Sequence, residues 1–178
     1  MTGKIVCSFR SYWGKVSSGR CCDIKAAAMF DCIWAALGAI IGIGIITYLT
    51  FLQGIPVLVA SLGASACLIY GVPEAPFSQP RNVLFGHLIS AVIGVALYQM
   101  FGNNWLTAAV SVGVAIGVML RTGTVHPPAG ATALIAVITQ QGWLFPILPV
   151  GVGVCILILV GILVNNLAVN RQYPRYWF

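Results

Sequence analysis

Three long stretches without a formal charge constrain this chain more than anything else in it. Between Asp31 and Glu74 lie 42 such residues, between Arg81 and Arg121 lie 39, and between Arg121 and Arg171 lie 49. One helix needs about 20 apolar residues to cross a bilayer. Each stretch is therefore too long for one crossing and long enough for two. Each also carries turn residues near its middle: "LQGIP" at 52–56, "GNN" at 102–104 and "TQQGW" at 139–143. Gly, Asn and Pro at those points interrupt a helix. Trp105 and Trp143 beside two of the turns fit anchoring at a membrane interface.

Composition agrees. Only 7% of the 178 residues are charged and 60% are hydrophobic, against about 25% charged in an ordinary soluble domain. The expected fold class is all-α: a polytopic membrane helix bundle of about six spans, near 28–50, 55–73, 82–101, 104–120, 122–140 and 144–168. The second and fifth spans hold Pro, Gly and small polar residues and are expected to be short or broken. With fewer crossings, two apolar segments would be re-entrant.

Six crossings bring all nine basic residues near one face. The positive-inside rule makes that face cytoplasmic, with both termini inside. The expected domains are a basic cytoplasmic segment at 1–27, a transmembrane domain at 28–170 and a short cytoplasmic tail at 171–178. Lys4, Arg10, Lys15, Arg20 and Lys25 precede the first span, and Arg171 and Arg175 follow the last. Such flanking charge contacts lipid headgroups, so the net charge of +6 is read as orientation signal, with no nucleic acid as partner. The N-terminal tail has no apolar core of its own, against a cleaved secretory signal. Cys32, Cys67 and Cys155 lie in apolar spans and read as small packing residues. Cys7, Cys21 and Cys22 lie in the basic tail, where a cytoplasmic position keeps them reduced and open to acylation.

The two weak spans resemble one another. "SLGASACL" (61–68) aligns with "PAGATALI" (128–135) at an offset of 67 residues, which also sets Gly86 on Gly153 and Gly94 on Gly161. The same offset maps the first three spans onto the last three. Three crossings per unit is odd, so the units would be inverted repeats, an architecture common among transporters. Gly/Pro-interrupted segments at matching places in two such halves point to a substrate site.

The fifth span opens with "RTGTVHPPAGATAL" (121–134). Proline disfavours helix in the residue before it and suits the first helical turn. Residues 122–126 are thus expected to be extended and a helix to start at Pro127 or Pro128. The lengths of an extended stretch and a short helix place His126 near the midplane. A helix N-terminus attracts anions. The expected substrate-binding residues are therefore His126, Pro127, Gly130, Ala131 and Thr132, with Gly63 and Ser65 from the matching segment. Arg81, His87 and Arg121 are further candidates. Each has a plainer reading. Gly63 and Gly130 also permit tight helix packing. His126 and His87 also suit hydrogen-bonded positions inside a bundle. Arg81 and Arg121 also suit interfacial snorkelling.

"TVHPPAGATAL" (124–134), together with "LGASACLIYGVPEAPFSQPRNVLFGH" (62–87), resembles the HPP family of integral membrane proteins. That family takes its name from the triad seen here as His126, Pro127 and Pro128. The resemblance covers roughly residues 28–168. The family is usually described as having four spans, from which a count of six departs. Members from chloroplast envelopes and cyanobacteria are regarded as nitrite transporters. The resemblance thus implies nitrite as substrate and a role in nitrogen assimilation, in a bacterial inner membrane or a plastid envelope. The residues themselves support a small inorganic anion. No HExxH, CxxC or GxSxG pattern occurs, so no enzyme, no metal and no cofactor is expected. A metal-binding membrane enzyme and a membrane assembly or structural protein are the other classes. A metal assay separates the first of these from a transporter and a liposome flux assay the second. Glycine-rich helix faces suggest a homo-oligomer, with a dimer expected.

Overall fold

The computed structural model describes residues 26–54, 57 and 59–177. The N-terminal basic segment, with Cys7, Cys21 and Cys22, lies outside the described residues. Helices alone form the regular structure, and no strand occurs among the described residues.

Helix α1 spans Met29–Phe51 and stops before Gly54, whose φ is +68°. Helix α2 covers only Ala60–Ala66 and runs on as a π-helical turn at Cys67–Gly71. Pro73 and Pro76 prevent its continuation, and the turn 76–78 leads into α3, Pro80–Phe101, with proline in its first turn. Gly102 (φ +73°) reverses the chain. Asn104 then caps α4, Trp105–Thr122, its side chain accepting from the N–H groups of Leu106 and Thr107. Gly123, left-handed at φ +66°, ends α4. An extended stretch through His126 (φ −136°, ψ 104°) leads into α5, Pro127–Ile138. A kinked π-helical turn at Pro146–Gly151 opens α6, Val152–Leu167.

Among the described residues four helical segments are long and apolar enough to cross a membrane: Met29–Phe51, Pro80–Phe101, Trp105–Thr122 and Pro146–Leu167, the last formed by the kinked turn and α6 together. The remaining two, Ala60–Gly71 and Pro127–Ile138, are apolar but shorter. They are the segments expected to be short or broken. At 1.5 Å per residue, α5 reaches about 18 Å against about 33 Å for α3.

Helix α3 is central and packs against α4, α5 and α6; α1 packs on α6 and α2 on both α5 and α6. The outer faces carry bare aliphatic side chains, such as Ile40 at 68% exposure and Leu163 at 67%. A protein in water does not leave so much contiguous apolar surface uncovered, and lipid is the solvent these faces fit. Cys32, Cys67 and Cys155 lie exposed on those faces as free thiols, so they do not fill the packed interior as expected. Trp105 and Trp143 are exposed beside their turns.

The contacts sort the helix ends into two groups. At one end Arg171 donates to the carbonyl oxygens of Asp31 and Tyr70, Arg81 to that of Thr122, and the Tyr173 hydroxyl to that of Ser78. At the other, Asn103 donates to the carbonyl of Ile138, and the Tyr98 hydroxyl to Gln140.

Candidate functional site

The polar residues of the two short helices meet inside the bundle. Ser61 and Ser65 stand one turn apart on α2 and face inward. From α5 comes Thr132, from the extended stretch before it His126, and from α3 His87. Ser65, His87, Thr132 and His126 are all 0% exposed, and Ser61 is 3%.

They form one hydrogen-bonded chain. Ser61 Oγ lies 2.8 Å from Thr132 Oγ1, which lies 2.7 Å from His87 Nδ1. His87 Nε2 lies 2.7 Å from Ser65 Oγ, and Ser65 Oγ lies 2.9 Å from His126 Nε2. His126 Nδ1 ends the chain 2.7 Å from the Phe77 carbonyl oxygen. The imidazole centroids are 4.9 Å apart, with the rings tilted by 55°. No buried side-chain polar atom among the described residues lacks a partner, as burial in an apolar bundle demands.

Local chemistry explains how His126 reaches this place. Two prolines follow it, so it stays extended and serves as the N-cap of α5. The extended backbone and the end of α4 would strand carbonyls, and α3 satisfies one of each. Asn82 Nδ2 donates to the Val125 carbonyl at 2.9 Å and Arg81 Nη2 to the Thr122 carbonyl at 3.1 Å. Irregular backbone at membrane depth is tolerated where protein covers it in this way. Gly86 makes the approach possible: a Cβ there would sit 2.8 Å from His126 Cβ and 3.1 Å from the Thr124 carbonyl oxygen. Counted from Pro80 along α3, Gly86 and His87 lie about 10 Å in from the charge-bearing end. His126 is thus deep in the bundle, about 6 Å from the middle of α3 on the side of the charge-bearing end. The extended stretch is shorter than expected, because α4 keeps Thr122.

Of the ten residues expected to bind substrate, the structure brings four together: His126, Thr132, Ser65 and His87. The others lie elsewhere. Gly63 lines an apolar groove with Ala35, Ala39 and Ile43 of α1. Pro127, Gly130 and Ala131 line an apolar groove with Val112 and Ile116 of α4. Arg81 braces the Thr122 carbonyl, and Arg121 is exposed at the end of α4. The N–H of Ala129 is taken by the His126 carbonyl at 2.9 Å, which removes one of the α5 donors counted on for an anion. Sequence reasoning missed Asn82 and the Phe77 carbonyl. Asn82 carried a signal, since an amide two residues after a proline helix start in an apolar span needs a partner. Among the described residues no group of three or more His, Cys, Asp or Glu is placed to hold a metal ion.

An all-α bundle with four apolar helices of spanning length and a buried imidazole–hydroxyl cluster defines an integral membrane protein. The chain belongs to the HPP transmembrane family, whose profile for the transmembrane region matches residues 24–174. Two relatives from Dictyostelium discoideum, each named only as a transmembrane protein, are similar along most of the chain. One is 38% identical over 157 residues, covering 82% of this chain and 55% of its own length; the other is 34% identical over 182 residues, covering 96% and 58%. The chain thus spans rather more than half the length of these relatives. No solved structure matches.

Proposed function

We propose that the protein moves a small inorganic monoanion across its membrane, nitrite first among the candidates, and that the His126–Ser65–His87–Thr132 cluster recognises it. One observation carries this reading. In a chain this apolar, two imidazoles and three hydroxyls are gathered, fully buried, where the two short helices meet. Ionisable groups at such depth are costly and mark substrate paths. The cluster is rich in hydroxyl and imidazole donors, and no carboxylate among the described residues bonds to it. Donors without carboxylates suit an anion; a cation would call for carboxylate or carbonyl oxygens. Nitrite, planar and with one charge, needs few donors and little space. The resemblance to HPP members regarded as nitrite transporters supports the same substrate.

The architecture we infer is six crossings as two inverted three-helix repeats, with both termini and the charged face cytoplasmic. The packing supports it. Helix α1 meets α6 as α4 meets α3, and α2 meets α6 as α5 meets α3. A Cβ on Gly94 would lie 2.8 Å from Ala136 Cβ, and one on Gly161 would lie 2.6 Å from Ile69 Cγ2. A shift of 67 residues turns each of these pairs into the other, as halves related by a two-fold axis require.

Purified protein in liposomes, loaded with a nitrite-sensitive reporter and given an inward nitrite gradient, tests the reading. Nitrite entry well above that of protein-free vesicles is expected. Entry equal to theirs overturns it.

A further inference from the structure

The cluster's proton arrangement follows from its one end that can only accept. The Phe77 carbonyl faces His126 Nδ1 at 2.7 Å, so that nitrogen carries the N–H. In a neutral imidazole Nε2 is then bare, and the Ser65 hydroxyl, 2.9 Å away, donates to it. That uses the single Ser65 proton. The 2.7 Å contact between Ser65 Oγ and His87 Nε2 is therefore an N–H donated by His87. His87 Nδ1 is bare in turn and accepts from Thr132, whose oxygen accepts from Ser61. The donors all point one way, and the two histidines hold opposite tautomers.

One contact is left over. Ser65 Oγ also lies 3.1 Å from the Ser61 carbonyl oxygen. If His126 takes a second proton at Nε2, the Ser65 hydroxyl can turn to that carbonyl. Its oxygen then accepts from the Nε2–H groups of both histidines, and every donor keeps an acceptor. The cluster can gain one proton by rotating one hydroxyl, which reverses the Ser65–His126 bond and adds one to the Ser61 carbonyl.

The charge so created would have no counter-charge among the described residues. The groups facing the histidines are Ser61 and Ser65 from α2, Thr132 from α5, the Phe77 carbonyl, and each other. Arg81 of α3 is bonded to the Thr122 carbonyl, and the Tyr70 hydroxyl after α2 to that of Leu157. A lone buried cation is strongly disfavoured, and a monoanion beside it removes the penalty. We propose that the cluster binds a proton and the anion together, one of each, so that transport is electroneutral and Ser65 is the hydroxyl that turns. This rests on the transport reading above.

Liposomes holding a pH dye, with the membrane potential clamped by potassium and valinomycin, decide it. An inward nitrite gradient should acidify the lumen several-fold faster than in protein-free vesicles, which report the leak of nitrous acid. The rate should not change with the imposed potential, and Ser65→Ala should lose the acidification. Nitrite entry that follows the potential without acidifying the lumen overturns the coupling and leaves transport standing; no nitrite entry at all defeats transport itself. A second measurement does not depend on a variant folding. The chain has only two histidines, so 15N-histidine spectra of the wild type near neutral pH should show one Nδ1–H and one Nε2–H imidazole. Two histidines in the same tautomer overturn the proposal.

Discussion

At the scale of single residues, Thr132 is the side chain on which the cluster turns, because its hydroxyl both accepts from Ser61 and donates to His87. Thr132→Val keeps the shape and removes both bonds, leaving a buried imidazole nitrogen without a partner. We expect a loss of about 1–3 kcal/mol, the usual cost of an unsatisfied buried group, seen as a lower melting temperature in detergent, with nitrite flux reduced as well. A Thr132→Val protein as stable and as active as the wild type would remove Thr132 from the site. His126, His87, Ser65 and Thr132 were all legible in the sequence as candidates, since polar groups are few in these spans. Their union was not. Ser65 and His126 are 61 positions apart, and nothing local says that α2 and the start of α5 meet. The glycines show the opposite failure. Gly63 and Gly130 share a motif, yet the motif does not tell which helix face turns inward, and both line outer grooves, Gly63 against α1 and Gly130 against α4.

At the scale of elements, close helix contact depends on particular glycines. A Cβ on Gly94 would lie 2.6 Å from the Ala133 carbonyl oxygen, whereas one on Gly113 would meet nothing within 4 Å. Gly94→Ala must push α5 off α3, and overpacking of this kind costs about 1–3 kcal/mol. Gly113→Ala should be neutral or slightly stabilising, as alanine favours helix. Thermal melts of the two variants check the contrast, and equal melting temperatures would contradict the α3–α5 packing. Asn104→Ala should cost about 1 kcal/mol by uncapping α4. Helix limits were legible to within a few residues wherever Gly, Asn or Pro punctuates the chain: α3 and α4 start and stop at Pro80, Gly102, Asn104 and Gly123. The π-helical turns at Cys67–Gly71 and Pro146–Gly151 were not, because they arise where tertiary packing accommodates a proline or an extra residue in a helix.

At the scale of the whole molecule, the clustering of Asp31, Tyr70, Arg81, Thr122 and Arg171 at one end sets the topology to test. Cysteines placed singly at the exposed positions 103 and 142, in a chain freed of its own, should react with an impermeant reagent only from outside. Those at 74 and 172 should react only from inside. Reaction of position 142 from the cytoplasm would refute six crossings. A homo-oligomer, proposed as a dimer, is expected in lipid; a uniform monomer by mass measurement in nanodiscs would count against it. The six-segment pattern was legible because charge is so sparse, while the length of the extended stretch before His126 was not, since it depends on α4 retaining Thr122. The claim on which most depends is that the buried cluster handles the anion, and nitrite uptake by liposomes bearing His126→Ala measures it most directly. With the variant matched to wild type in amount, orientation and elution profile, we predict uptake reduced at least about tenfold, as expected when an interaction worth about 1.4 kcal/mol or more is lost. Uptake at the wild-type rate would contradict the account and leave His126 as a packing residue at the start of a helix.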